Sequence, residues 1–253
     1  MLRLVILPFF LILSCLGHSI GEEVEREERK PFDQDQYSGK TIISTEMAYD
    51  LITQRFFNAP TLGTQAPDFS LPDESTGDMV SLKELRREQP VVLFFGRLGC
   101  DVMRGGVSEL LRLHERFRDQ FQFVMIYIRE AHALDGHGKN RGALMDPKTN
   151  DDRRKAAEIC KTRIEIPFPI LVDTIDDRVA TRWAGWPVRL FVVDQSGEVS
   201  YSGKPGPWGF DPGGGYKPDR AEQLRAHADR FSQNSLEDFL TRYLDGGVLG
   251  APN

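Results

Sequence analysis

Apolar and polar positions alternate in short runs along residues 63–202, and the type of run changes repeatedly. The strongest is Val91-Val92-Leu93-Phe94-Phe95, five apolar residues between Pro90 and Gly96. Such a run predicts a strand buried on both faces. Before it, short runs at 69–71 and 79–82 flank Glu74-Ser75-Thr76-Gly77-Asp78 and predict a hairpin. After it the periodicity predicts a helix over 108–117, a strand over 121–128, a helix over 152–161 and a strand over 169–173. A short helix over 176–183, a strand over 188–193, a turn at 195–198, a strand over 199–202 and helices over 219–230 and 235–243 complete the series. One more amphipathic helix is expected over 44–58, with a Ser or Thr cap. Strands that alternate with helices and end in a hairpin predict an α/β fold, a mixed central sheet flanked by helices on both faces.

The ends of the chain read differently. Arg3 precedes a run over 4–16 that is apolar or small throughout, followed by Gly17-His18-Ser19-Ile20-Gly21. This predicts a secretory signal peptide over 1–21, cleaved after Ser19 or Gly21, and the run is short for a membrane span. Ile12-Leu13-Ser14-Cys15 also resembles an imperfect bacterial lipoprotein box, so a lipid anchor at Cys15 and loss of Cys15 with the signal both stay open. Either outcome makes the protein exported, to the periplasm or outside the cell. Residues 22–60 read as a charged linker and the short helix, 61–245 as the folded domain and 246–253 as a flexible tail. With 38 acidic against 32 basic residues, a net charge of -6 and no basic run interleaved with aromatics, nucleic acid is excluded as a partner.

Chemistry concentrates at one thiol. Gly96-Arg97-Leu98-Gly99 carries the chain from the central strand into Cys100, with a helical pattern soon after. Open α/β sheets place their chemistry at this edge, and a nearby helix N-terminus favours an anionic sulfur. Three cysteines, Cys15, Cys100 and Cys160, are too few for a disulfide scaffold, and neither they nor the five histidines show metal-ligand spacing. No metal or cofactor is expected, and an external thiol reductant is. If Cys100 is a redox nucleophile its oxidised form needs a second thiol. Cys160 is the candidate resolving residue within the domain; a structural disulfide, an external thiol donor of thioredoxin type and a merely buried cysteine remain alternatives. A thioredoxin dithiol is missing, because the partner position is Met103. The peroxiredoxin pattern of threonine three residues before the cysteine and proline four before that is also missing, since those positions hold Arg97 and Leu93.

A third pattern fits. Phe95-Gly96 followed by three residues and Cys100, then Tyr127-Ile128-Arg129-Glu130-Ala131-His132-Ala133-Leu134-Asp135-Gly136, then Val172-Asp173-Thr174, Arg189-Leu190-Phe191-Val192-Val193 and the block from Gly203 to Pro212 occur in one order. Over residues 63–212 the chain resembles the iodothyronine deiodinases, with Cys100 at the selenocysteine position. The resemblance implies a thioredoxin-like fold with Pro187 in a cis-proline loop facing the cysteine. It further implies Cys100 as nucleophile toward a halogenated small molecule, Tyr127, Glu130 and His132 as the proton-donating and orienting group, and Arg189 as a clamp on a substrate carboxylate. The chain departs from the family at Arg97-Leu98-Gly99, where Ser or Thr is usual, at 147–149, where a histidine is absent, and at His137, where an aromatic residue follows Asp-Gly. Arg97, three residues from Cys100, is read as supplying charge to the thiolate and its substrate. A thiol peroxidase or thiol-disulfide reductase and a non-catalytic exported binding domain are the alternative functions, and a homodimer stays open.

Overall fold

The computed structural model describes residues 40–44, 46–48, 50–52, 58–136, 144–206, 209–213 and 234–246. The expected signal peptide, Cys15, His137, most of the charged linker, the helix over 219–230 and all but the first residue of the tail lie outside these residues.

The elements are β1 (Ser70–Pro72), β2 (Met79–Ser81), α1 (Leu82–Leu85), β3 (Val91–Gly96), α2 (Asp101–Phe117) and β4 (Gln122–Tyr127), followed by α3 (Asn150–Ile164), β5 (Ile170–Val172), α4 (Arg178–Arg182), β6 (Arg189–Val193), β7 (Val199–Ser202) and α5 (Leu236–Leu244). β1 and β2 form the separate hairpin. The other strands make one five-stranded sheet in the order β5-β4-β3-β6-β7. β3, β4 and β5 run parallel, while β6 and β7 are antiparallel additions. This is the mixed sheet of a thioredoxin-like fold.

Strand alternation divides the core in two. Val92 and Phe94 of β3, with Met125 and Tyr127 of β4, face a layer built from α2, α3 and α5 that includes Leu110, Cys160 and Phe239. Val91, Leu93 and Phe95 face α1, α4, Trp183 and Trp186. Both faces of β3 are therefore covered, which is why its sequence is an unbroken apolar run.

One boundary differs from expectation in a way that matters for the site. α2 begins at Asp101, directly after Cys100, and not at 108. Gly105 and Gly106, which disfavour a helix interior, lie within the added turns. In the structure Gly106 is buried within the helix, and a Cβ there would stand 2.6 Å from Phe210. The glycine lets Phe210 approach the helix at the cost of some helix propensity.

Candidate active site

β3 ends at Gly96, and Arg97-Leu98-Gly99 turns the chain into Cys100, which is the N-cap of α2. The Cys100 sulfur accepts the Met103 N–H at 3.5 Å. The backbone N–H of Cys100 donates to Arg97 O at 3.3 Å, and its own carbonyl accepts from Arg104 at 3.0 Å. A thiolate is a better acceptor than a thiol, so the capping N–H suits the anionic sulfur. The residue is only 3% exposed and packs with Leu98, Met103 and Val188.

The turn before the cysteine is held from β4. Gly99 N–H donates to Glu130 Oε2 at 2.9 Å, and Leu98 N–H reaches Tyr127 Oη at 3.5 Å. Tyr127 Oη in turn donates to Glu130 Oε1. Gly99 must be glycine for this approach, because a Cβ would overlap Glu130 Oε2. Burial, outweighing the Tyr127 hydrogen bond and the charge of Arg97, pushes the Glu130 carboxyl above its usual range. Tyr127 is pushed well up by burial and by the neighbouring Glu130. A buried acid that retains its proton above the ordinary carboxylate range, touching the loop of a candidate nucleophile, is equipped as a proton donor.

His132 is half-buried, and its carbonyl would lie 3.7 Å from a Cβ on Gly99. The structure thus joins Cys100, Tyr127 and Glu130 through one loop and sets the His132 backbone beside that loop. Cys160 lies on α3 in the same core layer as Cys100 and Tyr127, fully buried, and both cysteines are free thiols. Burial, reinforced by Glu130, pushes the Cys160 thiol up and keeps it neutral. A neutral, sealed thiol is poorly suited to attack.

The two arginines separate sharply. Arg189 sits on β6 between Val188 and Leu190, which face the Cys100 layer, so alternation turns its side chain to the opposite face. There its Nε donates to Gly203 O at 2.6 Å and its Nη1 to Ala184 O at 3.4 Å. These two donors brace the main chain. Arg97 is 1% exposed, and its Nε and Nη1 have no hydrogen-bond partner. Its guanidinium stacks 5.0 Å from the centre of the Trp186 ring, whose Nε1 is also without a partner. Trp186 precedes Pro187, and the bond between them is cis. Trp186 escaped the sequence reading because Trp-Pro at a strand entry signals packing and offers no hint that the indole N–H stays unpaired.

Just beyond lies a second buried cluster that the sequence reading also missed. Arg153 Nη1 is 2.8 Å from Asp177 Oδ1, and Arg129 Nε is 3.3 Å from Asp177 Oδ2. Asp173 accepts from Thr174 at 2.8 Å, Val179 at 3.1 Å and Ala180 at 2.8 Å, which caps α4 from outside the helix. Arg129 immediately precedes Glu130, so this cluster fixes the segment that carries the acid. Among the described residues no group of three or more His, Cys, Asp or Glu is arranged to hold a metal ion. A 440 Å³ cavity lined by residues including Gln89, His114, Gln122 and Phe168 lies at the opposite edge of the sheet, where β3 and β4 begin.

Sequence comparison extends the pattern across the chain. The family described as iodothyronine deiodinase matches residues 5–214. The type I iodothyronine deiodinase of Xenopus laevis is 30% identical over 166 residues, 64% of this chain and 64% of its own length. The thyroxine 5-deiodinase of Gallus gallus is 28% identical over 158 residues, 61% of this chain and 60% of its own. The chain thus spans less than two thirds of the length of these two relatives. Among solved structures, an uncharacterized conserved protein from Geobacillus kaustophilus aligns with a TM-score of 0.49 at 21% identity, over 70% of this chain and 88% of that one.

Proposed function

The chain belongs to the iodothyronine deiodinase family, and from that premise we propose that it is an exported, thiol-dependent reductase of halogenated small molecules with Cys100 as nucleophile. The observation that carries the reading is the direct linkage of the Cys100 loop to a buried acid pair, Gly99 N–H to Glu130 and Leu98 N–H to Tyr127.

The step balances as follows. Cys100 thiolate attacks the halogen, the carbon–halogen bond breaks with its electron pair left on carbon, and that carbon takes a proton from the Glu130–Tyr127 pair, with His132 at the edge of the same loop. The sulfur, now carrying the halogen, is oxidised. Two equivalents of an external thiol return it to thiolate, releasing halide, a disulfide and two protons, one of which recharges the acid pair while the other passes to solvent. The substrate gains hydrogen in place of halogen, and the thiol is the reductant.

A second reading, a thiol peroxidase, is favoured by the 3% exposure of Cys100, which suits a small oxidant. One experiment separates them. Purified protein with a thiol reductant is given an iodinated phenol or hydrogen peroxide, beside the Cys100→Ser variant. Iodide release that disappears in the variant is the expected result. Peroxide consumption alone would replace the proposal with a peroxidase, and neither reaction would leave a binding domain.

A further inference from the structure

We propose that Arg97, in the turn before Cys100, and Trp186, in the turn before β6, form a binding site for a small anion, one that accepts hydrogen bonds and donates none: either a halide or a carboxylate.

The argument begins with two donors that lack acceptors. Arg97 and Trp186 are 1% and 2% exposed, and among the described residues Arg97 Nε and Nη1 and Trp186 Nε1 have no hydrogen-bond partner. Buried polar groups are almost always hydrogen-bonded, and an unpaired buried guanidinium is among the most costly exceptions. The Arg97 guanidinium lies over the Trp186 ring, 5.0 Å from its centre, so the unpaired donors sit on neighbouring groups. The indole contributes a donor and no acceptor, and the guanidinium likewise. Their combined preference is for an anion.

Among the described residues no protein group fills this role. Glu130 feels the charge of Arg97, yet its oxygens bond Tyr127 and Gly99 N–H, and neither bonds the guanidinium. Arg189, the other arginine read from sequence as a clamp, is turned to main-chain carbonyls. The shielding that makes an empty site costly makes an occupied one strong, since a charge there is little screened by water. Entry of the anion requires the turn before Cys100, or Trp186, to yield.

The locus also fits the chemistry of the neighbouring thiol. The halide that the external thiol releases from the oxidised sulfur leaves as a monoanion, and a substrate carboxylate would orient its halogen toward the same sulfur. That assignment rests on the proposed dehalogenation; the site itself rests on geometry alone and is tested without turnover.

The experiment uses the Cys100→Ser protein, so that neither catalysis nor a thiolate intervenes. The indole N–H resonances of the three tryptophans are followed by ¹⁵N NMR while sodium iodide, bromide or acetate is added at constant ionic strength, with the Trp186 signal identified by its loss in Trp186→Phe. A saturable shift confined to the Trp186 signal is expected, with affinity weakened about tenfold or more by Arg97→Met and partly kept in Arg97→Lys. Saturation by halides only identifies the leaving ion as occupant, and by acetate only the substrate carboxylate. A Trp186 signal that none of the three anions moves saturably, or equal affinity in Arg97→Met, would overturn the site. Should Arg97→Met fail to fold, calorimetric titration of Trp186→Phe, which removes one donor and keeps the ring, decides the matter: undiminished heat and affinity relative to the parent would overturn it.

Discussion

Two clusters of charge lie buried near the carboxyl ends of the parallel strands, and they are balanced in opposite ways. Around Asp177, two guanidiniums meet one carboxylate at 2.8 and 3.3 Å, while neighbouring Asp173 is surrounded by three N–H donors. Around Cys100, a guanidinium and an indole have unpaired donors, and a buried carboxyl holds its proton beyond the usual range. Both clusters are shielded from water to the same degree, so exposure does not distinguish them. Pairing of charge does. Arg153 and Arg129 each keep an Nε without a hydrogen bond, as Arg97 does, but both meet the Asp177 carboxylate, whereas among the described residues Arg97 is in no ion pair. A guanidinium paired with a carboxylate of the chain is a strut, whereas one left out of any ion pair is arranged for something the chain itself does not supply.

The sharpest way to break this comparison is to remove one member of the closed cluster. Arg153→Met takes away the 2.8 Å ion-pair partner of buried Asp177, and it also removes the bond from Arg153 to Thr174 O at 2.6 Å. Loss of one partner from a buried pair costs about 3–5 kcal/mol. The expected result is a melting temperature lower by roughly 10 °C, read by calorimetry on the full chain. An unchanged melting temperature would mean that the closed cluster is not a strut.

Next in size is the acid. Glu130→Gln keeps a group able to bond Gly99 N–H but cannot deliver a proton. A fall in dehalogenation rate of about 10²-fold or more is expected. The pH profile is more diagnostic than the size of the fall. Because burial raises the Glu130 carboxyl, its proton is present below the ordinary value and is lost only as pH rises through the raised one. Wild-type activity therefore has a descending limb on that side, and Glu130→Gln should flatten it. Persistence of the same limb in the variant would assign the proton to another group. Gly99→Ala approaches the acid from the opposite direction, since the new methyl would displace Glu130 from the loop. A loss of about 10²-fold is expected in turnover, with the protein still folded by circular dichroism.

How much of this was legible beforehand follows from which interactions are local. The run Val91 to Phe95 announces a two-face-buried strand, and Thr149 with Asp152 forms the capping box that begins α3. Both signals lie within a few residues of their effect. Cys100 was readable as a nucleophile candidate because strand, turn and helix are contiguous in sequence. Helix α2 was misplaced by seven residues because the reason for Gly106 is Phe210, far along the chain. The main-chain bonds of Arg189 were not legible, because its family position says nothing of which face of β6 it occupies. The pairing of Arg153 with Asp177, and the failure of Arg97 to pair, are tertiary facts that no spacing encodes.

The smallest effect expected is also the one that separates the clusters most cleanly, because its sign is opposite. Arg97→Met removes a buried cation whose Nε and Nη1 have no partner, and the relief of desolvation amounts to several kcal/mol in principle. Against this stands the lost stacking on Trp186, about 1–2 kcal/mol when shielded from water. The balance lies between neutral and about 1 kcal/mol of stabilisation, measured as the urea midpoint in a buffer free of small coordinating anions. Adding the anion that fills the site should then reverse the order, since wild type gains stability by mass action and the variant gains little. A variant that is strongly destabilised with or without anion would show that Arg97, like Arg153, belongs to the framework, and the contrast between an open cluster and a closed one would collapse.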